Sequence, residues 1–307
     1  RDILKEIDNY TSLLETLGDI KGKRVALIVP KVHSLLALIL AISKLEGTVI
    51  PLSTLLRKDD LLHVLTFTDP HIVFTIDHQQ GFPFSKNVQL WAASCQKETI
   101  IFDSEDSHQW NQHIFNGKKR ALEDANIEMI VCTSGSTGTP KGIISSTEVI
   151  RDGFLKPYRL VAGLSNDDKL FLVAPSSGLF GLCWLLSSIY SQYTIVATES
   201  FSIPDILDLL RKNPCEKLVT TPSLFHALTI LSRQDDPMFD PLAFVCLAGE
   251  PITSSFTKSV ANFKSKLIGL YGLSEMGCAL YTKNDIREQL EWSLFPNVVH
   301  RFADEMN

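Results

Sequence analysis

The sequence predicts an α/β protein made of two doubly wound α/β subdomains. Short runs rich in β-branched residues alternate with helical runs along most of the chain. These short runs are continuously apolar, as expected for parallel strands that helices cover on both faces. The alternation pauses near residues 163–168, which divides the predicted strands into two blocks of about five each.

The first block begins with an amphipathic helix within residues 1–20, whose apolar residues are spaced to share one face. Helices are also predicted around Ser34–Leu45, which is nearly all apolar, and near Asp60–Phe67. The stretch that precedes Thr99 is predicted to be irregular. Strands are predicted at Arg24–Val29, Thr48–Leu52, Ile72–Ile76, Thr99–Phe102 and Ile127–Cys132.

The second block follows a glycine-rich segment and shows the same alternation. Ser145–Glu148 has the Ser-x-x-Glu form of a capping box and predicts the start of a helix. Strands are predicted at Lys169–Ala174, Thr194–Ala197, Lys217–Thr220, Ala243–Leu247 and Lys266–Tyr271. Helices are predicted at Leu179–Ile189, Pro204–Lys212, Ser223–Leu231 and Ser254–Phe263.

The composition is that of an ordinary globular protein, with 307 residues of which 45% are hydrophobic and 21% charged. The charged residues are 29 basic and 35 acidic, without a basic block, so a nucleic-acid partner is not expected. The six cysteines contain no Cys-x-x-Cys pair, which favours reduced thiols in a cytoplasmic protein. The most apolar run, Leu35–Ile42, is too short to span a bilayer.

The segment Thr133–Gly142 has the composition of a phosphate-binding loop. It follows a predicted buried strand and combines glycines, hydroxyl residues and Lys141. Backbone N–H groups of such a loop can surround a polyphosphate, while hydroxyls donate hydrogen bonds and the lysine adds positive charge. The spacing differs from the Walker A pattern, because no Gly-Lys-Ser/Thr closes it. A flexible Ser/Gly linker is the alternative interpretation.

Three further polar segments follow predicted strands: Pro175–Gly178, Ala248–Pro251 and Gly272–Glu275. Because ligands of open α/β sheets bind beyond the carboxyl ends of the strands, these segments are candidates for one site. Glu275 could hold Mg²⁺ against phosphate oxygens, and Tyr271 offers a flat face for a purine. The alternatives are a helix N-terminal cap at Ser274 and Glu275 and a simple turn at residues 249–251.

Together these segments resemble the adenylate-forming superfamily, which includes acyl-CoA synthetases, nonribosomal-peptide adenylation domains and firefly luciferase. Thr133–Gly142 resembles its phosphate-loop signature, and Lys44–Leu52 (KLEGTVIPL) resembles its lKaGavyvPL segment. Ala248–Pro251 resembles its GGEp turn, and Gly269–Gly277 (GLYGLSEMG) resembles its YGxTE motif. The resemblance runs from about residue 20 to 280.

The resemblance implies a two-step reaction. A carboxylate attacks the α-phosphate of Mg-ATP to give an acyl-adenylate and pyrophosphate, and a thiol of CoA or of a phosphopantetheinyl carrier protein then takes the acyl group. It implies catalytic roles for Lys141, Ser274 and Glu275, with Glu275 as the Mg²⁺ ligand. The implied ATP-binding residues are Thr133, Ser134, Gly135, Ser136, Thr137, Gly138, Thr139, Lys141, Gly249, Glu250, Pro251, Tyr271 and Gly272. The implied acid-binding residues are Ser177, Phe180, Gly181, Ala248 and Gly272.

The resemblance also implies a domain division. It places a helix at 1–20 that packs on the second subdomain, a first subdomain at 21–167 that ends in the phosphate loop, and a second at 168–285. Residues 286–307 resemble the start of a β-barrel-like third subdomain. The catalytic lysine of the family's C-terminal domain has no counterpart before Asn307, so we expect that domain to be absent and the chain to be a fragment. A degenerate member of the family is the alternative.

Departures from the family pattern bear on the acid. The family usually has a His within the stretch that corresponds to residues 143–147, and an aromatic residue or His near Ser176 and Ser177; neither is present here. No acidic residue lies between Pro175 and Thr198, so a buried ammonium group would lack a partner there. We therefore expect a fatty or aromatic acid without an α-amino group. The alternatives are an amino-acid adenylation domain, an ATP-binding module without catalysis, and an unrelated nucleotide hydrolase or kinase that uses Lys141.

Overall fold

The computed structural model describes residues 3–122, 127–133, 140–232, 236–288, 290–296 and 298. It divides into two compact units, the first formed by Arg1–Ile150 and Pro175–Leu186, and the second by Arg151–Ala174 and Ser187–Asn307. Each unit contains one seven-stranded sheet. The division of the chain into subdomains that the sequence suggested stays a prediction.

The first unit is built on a mostly parallel sheet. Its strands, with a small hairpin (β4, β5), are β1 (Arg24–Ile28), β2 (Thr48–Pro51), β3 (Ile72–Ile76), β4 (His78–Gln79), β5 (Phe82–Pro83), β6 (Thr99–Ser104), β7 (Asn111–Phe115), β8 (Met129–Thr133) and β9 (Lys141–Ser145). The strand order is β7-β6-β3-β1-β2-β8-β9, with β7 and β9 antiparallel at the edges. Strands β2 and β3 are buried throughout, and β1 is buried from Val25 onwards, as their continuous apolar runs predict.

The second unit has the same design. Its strands are β10 (Lys169–Leu172), β11 (Thr194–Ala197), β12 (Lys217–Thr220), β13 (Phe244–Leu247), β14 (Lys266–Leu273), β15 (Gly277–Thr282) and β16 (Trp292–Leu294). Their order is β11-β10-β12-β13-β14-β15-β16, parallel from β11 to β14 and antiparallel afterwards. The two parallel sheets confirm the predicted α/β class.

The helices cover these sheets. They are α1 (Ile3–Glu15), α2 (Val32–Lys44), α3 (Lys58–Thr68), α4 (Phe84–Cys95), α5 (Thr147–Ile150), α6 (Lys156–Ala162), α7 (Leu179–Ser191), α8 (Ile203–Lys212), α9 (Pro222–Ser232) and α10 (Ser254–Ser259). A π-helical turn at Arg151–Leu155 and a 3-10 turn at Pro237–Phe239 complete them. Among the described residues, no helix combines the length and the apolar character that a bilayer crossing requires.

Helix α1 has contacts within the first unit, whereas the sequence predicted packing on the second subdomain. The Ser34 hydroxyl of α2 donates a hydrogen bond of 3.0 Å to Glu6. The Tyr10 hydroxyl donates one of 3.2 Å to the carbonyl oxygen of Ser107. The apolar face of α1, which includes the fully buried Leu14, packs next to α2.

Two predictions around the glycine-rich segment need correction. Residues 141 and 142 lie in strand β9 and not in a loop, because Ile143 and Ile144 continue a β-branched run that pairs with β8. The helix begins later than predicted: Ser145 is buried in β9, and the Ser146 hydroxyl accepts the N-terminal hydrogen bond from the Val149 N–H at 3.2 Å.

Other differences have equally local causes. The stretch predicted to be irregular contains α4, which buries Phe84, Val88, Trp91 and Ala92 at helical spacing. The structure adds β15 and β16 to the second sheet, and α10 ends at Ser259, before the predicted Phe263. Trp292–Leu294 pairs with β15. Half of the predicted start of a third subdomain, residues 286–307, lies outside the described residues.

Candidate active site

The ends of the glycine-rich segment are held by two antiparallel strands. Thr133 is the last residue of β8, and Lys141, the first of β9, is its cross-strand partner. Lys141 is exposed, so its ammonium group is available to a ligand. The residues between these ends that were predicted to bind ATP lie outside the described part of the chain; they are Ser134, Gly135, Ser136, Thr137, Gly138 and Thr139.

Gly142 shows why this hairpin needs a small residue beside the lysine. A Cβ atom at Gly142 would lie 3.0 Å from both Ile130 and the ring of Phe67. Such a separation is shorter than ordinary van der Waals contact, so a larger residue would push β9 away from β8 and α3. The glycine is explained by packing, and Lys141 is presented by the strand that this packing holds.

A cleft of about 470 Å³ in the first unit joins two of the segments that the sequence singled out. Thr133 and Pro140 line it from one side, and Pro175, Ser177 and Gly178 line it from another. The predicted acid-binding residue Ser177 is therefore in the same cleft as the beginning of the glycine-rich segment. Its remaining lining comes from the end of β2, from the segment between β2 and α3, from α3 and from β8: Pro51, Ser53, Leu55, Leu56, Asp60, Val64 and Cys132.

Cys132 and Asp60 are two lining residues that were not predicted to belong to the site and that carry an ionisable group. Burial raises the pKa of the Cys132 thiol to about 12, so this cysteine stays protonated and is a poor nucleophile at neutral pH. Asp60 is exposed in the first turn of α3 and brings a carboxylate to the cleft. The sequence signal for either was weak, since both lie in segments with ordinary helix or strand patterns.

The other predicted acid-binding residues lie at strand and helix ends. Phe180 and Gly181 are in the first turn of α7, half-buried and buried respectively. Ala248 is buried directly after β13. Among the described residues, the lining of the first-unit cleft includes Ser177 and neither Phe180 nor Gly181. Trp184, one turn further along α7, is fully buried.

A second cleft, of about 550 Å³, lies in the second unit and joins the residues predicted to frame adenine. It is formed where β13 and β14 run parallel, so that the turn after β13 meets the end of β14. Tyr271 is 49% exposed and offers its ring to the cleft. The lining residues are Gly249, Glu250, Pro251, Leu270, Tyr271, Gly272, Leu273, Leu280 and Trp292.

The turn after β13 depends on a glycine and a carboxylate. Gly249 has a φ of +83°, a conformation that glycine adopts without steric cost. Glu250 accepts hydrogen bonds from the Ser223 N–H at 2.9 Å and from the Ser223 hydroxyl at 2.7 Å. It thus caps the N-terminus of α9. Burial by itself raises the pKa of Glu250, but the hydrogen bonds from Ser223 and Thr221 outweigh it and leave that pKa below its usual range.

Ser274 and Glu275 form the turn of a β-hairpin between β14 and β15, not the helix cap that the sequence left open. The two strands approach closely at Gly272, where a Cβ atom would lie 2.5 Å from the Gly277 carbonyl oxygen. Glu275 is exposed at this turn, and the described residues include no hydrogen-bond or ion-pair partner for it. The magnesium-binding role of Glu275 stays a prediction.

A family model described as "AMP-binding enzyme" matches residues 1–300. The chain belongs to the AMP-binding enzyme family. This confirms the resemblance to adenylate-forming enzymes, and its two mostly parallel sheets have the architecture that this resemblance implied.

Curated relatives of this AMP-binding enzyme include ligases and peptide synthetases. The fatty acid–[acyl-carrier-protein] ligase ScoC of Streptomyces coeruleorubidus is 22% identical over 280 residues, which are 89% of this chain and 53% of that protein. The long-chain-fatty-acid–CoA ligase FadD13 of Mycobacterium tuberculosis is 22% identical over 291 residues, 90% of this chain and 55% of that protein. Surfactin synthase subunit 2 of Bacillus subtilis is 26% identical over 170 residues, 54% of this chain and 5% of that protein. The chain thus spans about half the length of the two ligases and 5% of the surfactin synthase subunit.

Solved structures show the same fold. O-succinylbenzoate CoA synthetase (MenE) of Bacillus subtilis, in complex with AMP, superposes with a TM-score of 0.74 at 15% identity, covering 96% of this chain and 74% of that one. ATP-bound MatB of Rhodopseudomonas palustris gives 0.73 at 18% identity, covering 92% of this chain and 56% of that one.

Proposed function

We propose that this AMP-binding enzyme uses Mg-ATP to convert a carboxylic acid without an α-amino group into an acyl-adenylate, which then passes to a thiol. The observation that carries this proposal is the glycine-rich segment presented between Thr133 and Lys141, at the carboxyl end of β8. A polyanion at that position would meet the exposed Lys141, at the end of a segment whose sequence is rich in Ser, Thr and Gly.

The cleft of the second unit supplies a surface for the adenosine part of ATP. Its walls combine the Tyr271 ring with the backbone of Gly249 and Gly272, neither of which carries a side chain that keeps a flat base away. Aromatic and backbone contacts of this kind suit a purine, which needs stacking and a few hydrogen bonds to fix its orientation.

Glu275 is our proposed ligand for the magnesium ion. Its exposed carboxylate, which has no partner in the described part of the chain, fits an ion that takes one or two protein carboxylates and several phosphate oxygens. When bound, Mg²⁺ offsets the negative charge of the phosphates during attack on the α-phosphorus. We infer that Ser274, beside it in the hairpin turn, donates a hydrogen bond to a phosphate oxygen of ATP.

The reaction needs positioning more than covalent participation by the protein. A carboxylate oxygen of the acid forms a bond to the α-phosphorus while the bond to pyrophosphate breaks, and the electron pair leaves with pyrophosphate. Both reactants are anions, so Lys141 and donors from the glycine-rich segment must offset their charge and hold them in line. In the second step the thiol sulfur attacks the acyl carbon and AMP leaves.

The choice of acid rests on the residues that follow β10. From Pro175 to the end of α7 the side chains are apolar or hydroxylic, with no acidic residue. An acyl chain would find apolar surface there, whereas an ammonium group would find no counter-charge. Asp60, in the cleft of the first unit, is the observation that favours the second candidate, activation of an amino acid.

The acceptor is a thiol of CoA or of a phosphopantetheinyl carrier protein. Relatives of both kinds, a CoA ligase and an acyl-carrier-protein ligase, match the chain at the same identity, so both acceptors belong in the test. The six cysteines of the chain contain no Cys-x-x-Cys pair, which supports the predicted cytoplasmic location.

The test is ATP–pyrophosphate exchange by the protein expressed from its complete coding sequence. The panel pairs fatty and aromatic acids with α-amino acids of matched side chain, such as octanoate with 2-aminooctanoate. We expect exchange with the simple acids and loss of it on adding the amino group. Exchange with amino acids alone would establish the second candidate, which Asp60→Asn should then impair. Binding of Mg-ATP without exchange for any acid would indicate an ATP-binding module without catalysis.

A further inference from the structure

Away from both clefts, three side chains that commonly bind metal ions meet in the first unit. They are Glu6 on α1, His33 in the first turn of α2, and His108 in the segment between β6 and β7. One ligand atom of each lies within 4.8 Å of the other two. We propose that Glu6, His33 and His108 form a binding site for a divalent transition-metal ion, with zinc as its occupant.

The Glu6 carboxylate supplies the reason to expect a cation. Its Oε2 atom is buried and accepts no hydrogen bond from the described residues, although the side chain as a whole is 14% exposed. Its Oε1 atom accepts a hydrogen bond of 3.0 Å from the fully buried Ser34 hydroxyl. A buried carboxylate oxygen without a donor is costly, and a metal ion at Oε2 removes that cost.

The two histidines are held by ordered backbone on either side of Glu6. His33 follows the first residue of α2, and its side chain is 40% exposed, which leaves an entry path for an ion. The His108 N–H donates to the Asp106 carboxylate at 2.8 Å, and the preceding Ser107 N–H donates to the Ser104 hydroxyl at 2.9 Å. The turn that carries His108 is therefore preorganised.

The donor set selects the kind of ion. Two imidazoles and one carboxylate suit zinc and its first-row neighbours, whereas Mg²⁺ and Ca²⁺ prefer oxygen ligands alone. Bonds of about 2.0–2.1 Å in a tetrahedron bring ligand atoms to roughly 3.3 Å from one another. Side-chain rotations that move the ligand atoms by about 1 Å close the site from its present spacing. A bound ion would join α1 to α2 and to the segment after β6.

One positive charge faces the site. The Lys31 ammonium nitrogen lies 3.1 Å from the His108 Nε2 atom. This cation competes with a metal ion for the imidazole of His108. We therefore expect Lys31→Met to bind zinc several-fold more tightly than the native chain, because it removes the competitor and keeps the side-chain volume.

The experiment is a zinc titration of the untagged chain in competition with a chromogenic chelator, repeated with Co²⁺ for its visible absorption. We expect one ion per chain and tetrahedral Co²⁺ bands. Glu6→Gln, His33→Asn and His108→Asn should each lower the zinc affinity by about 100-fold, and Ser34→Ala by about tenfold. His63→Asn and Glu15→Gln, at exposed positions, should leave it unchanged.

Two results would overturn the proposal. One is the absence of stoichiometric zinc binding by the folded native chain. The other is an affinity that the three ligand variants leave unchanged, which would place the ion elsewhere. If a ligand variant fails to fold, as circular dichroism would reveal, the Lys31→Met variant tests the proposal instead. Weaker zinc binding by Lys31→Met than by the native chain would contradict the proposed geometry.

Discussion

Thr133 and Lys141 face each other across the antiparallel pair of β8 and β9. Their cross-strand pairing brings the two ends of the Ser/Thr/Gly segment together and directs both side chains to one face of the sheet. The strand pairing thereby holds Lys141 beside the end of β8.

Removing the Lys141 side chain should lower the catalytic efficiency of the enzyme with ATP. We expect Lys141→Ala to lower kcat/KM for ATP about 100-fold, since one preorganised donor to a developing charge typically contributes that much. The measurement is pyrophosphate release at varied ATP, with circular dichroism as a check on folding. Lys264→Ala, whose side chain is 80% exposed, is the matched control, and an equal loss in both variants would contradict the role of Lys141.

Glu275→Gln should act through magnesium. The amide keeps the shape of the side chain but loses the charge that holds the ion, so the variant should need much more Mg²⁺ to reach half of its maximal rate. The measurement is the rate at varied Mg²⁺ with ATP held constant. Glu288→Gln, at another exposed glutamate, is the control. A magnesium dependence equal to that of the native protein would exclude Glu275 as the ligand.

The hairpin of β14 and β15 leaves no room for a side chain at Gly272. In Gly272→Ala the new Cβ would meet the Gly277 carbonyl oxygen at 2.5 Å and the Cys278 Cα at 3.0 Å, both backbone atoms. We expect a loss of about 1–3 kcal/mol in the free energy of unfolding, measured by urea denaturation. Gly178→Ala is the control, because its nearest contact would be an ordinary 3.6 Å. Equal free energies of unfolding for Gly272→Ala and Gly178→Ala would contradict the close approach of β14 and β15 at Gly272.

The hydrogen bonds between Glu250 and Ser223 predict a pH dependence of stability. The pKa of Glu250 is lower in the folded chain than its ordinary value of 4.5. The charged Glu250 side chain therefore contributes fully to the free energy of unfolding above pH 4.5, and this contribution is lost as the pH falls through the folded-state pKa. Glu250→Gln should reduce the free energy of unfolding at pH 7, and this difference should shrink towards pH 3.

Urea denaturation at pH 7, 5 and 3.5 measures this difference, with Glu105→Gln as an exposed control. A destabilisation by Glu250→Gln that is the same at every pH would mean that the carboxylate charge is not what matters. In that case the cap at the N-terminus of α9 would depend only on the shape of the side chain.

Much of the fold was predictable because parallel strands are uniformly apolar. Thr194–Ala197 and Lys217–Thr220 agree with the structure at both ends, since each is a short apolar run bounded by polar residues. Helix α4 was missed although Phe84, Val88 and Trp91 have helical spacing, because polar residues dilute that pattern. The β9 strand was missed because Pro140 and Gly142 suggested that the loop continued.

The candidate site was predictable in part, and for a different reason. Gly249 follows β13, and Tyr271 and Gly272 lie at the end of the neighbouring β14. The rule that ligands bind beyond strand ends therefore brought them together. Trp292 and Asp60 line clefts from positions far away in the sequence. No local pattern announces such residues, because only the tertiary fold places them there.

Transfer of isotopic oxygen from the acid to AMP tests the proposed chemistry most directly. The protein from its complete coding sequence is incubated with ATP, Mg²⁺, a thiol acceptor and a fatty acid labelled with ¹⁸O in its carboxylate, and the AMP formed is examined by mass spectrometry. If the carboxylate attacks the α-phosphorus, each AMP carries one ¹⁸O atom. AMP without ¹⁸O, or label found in inorganic phosphate, would contradict acyl-adenylate formation.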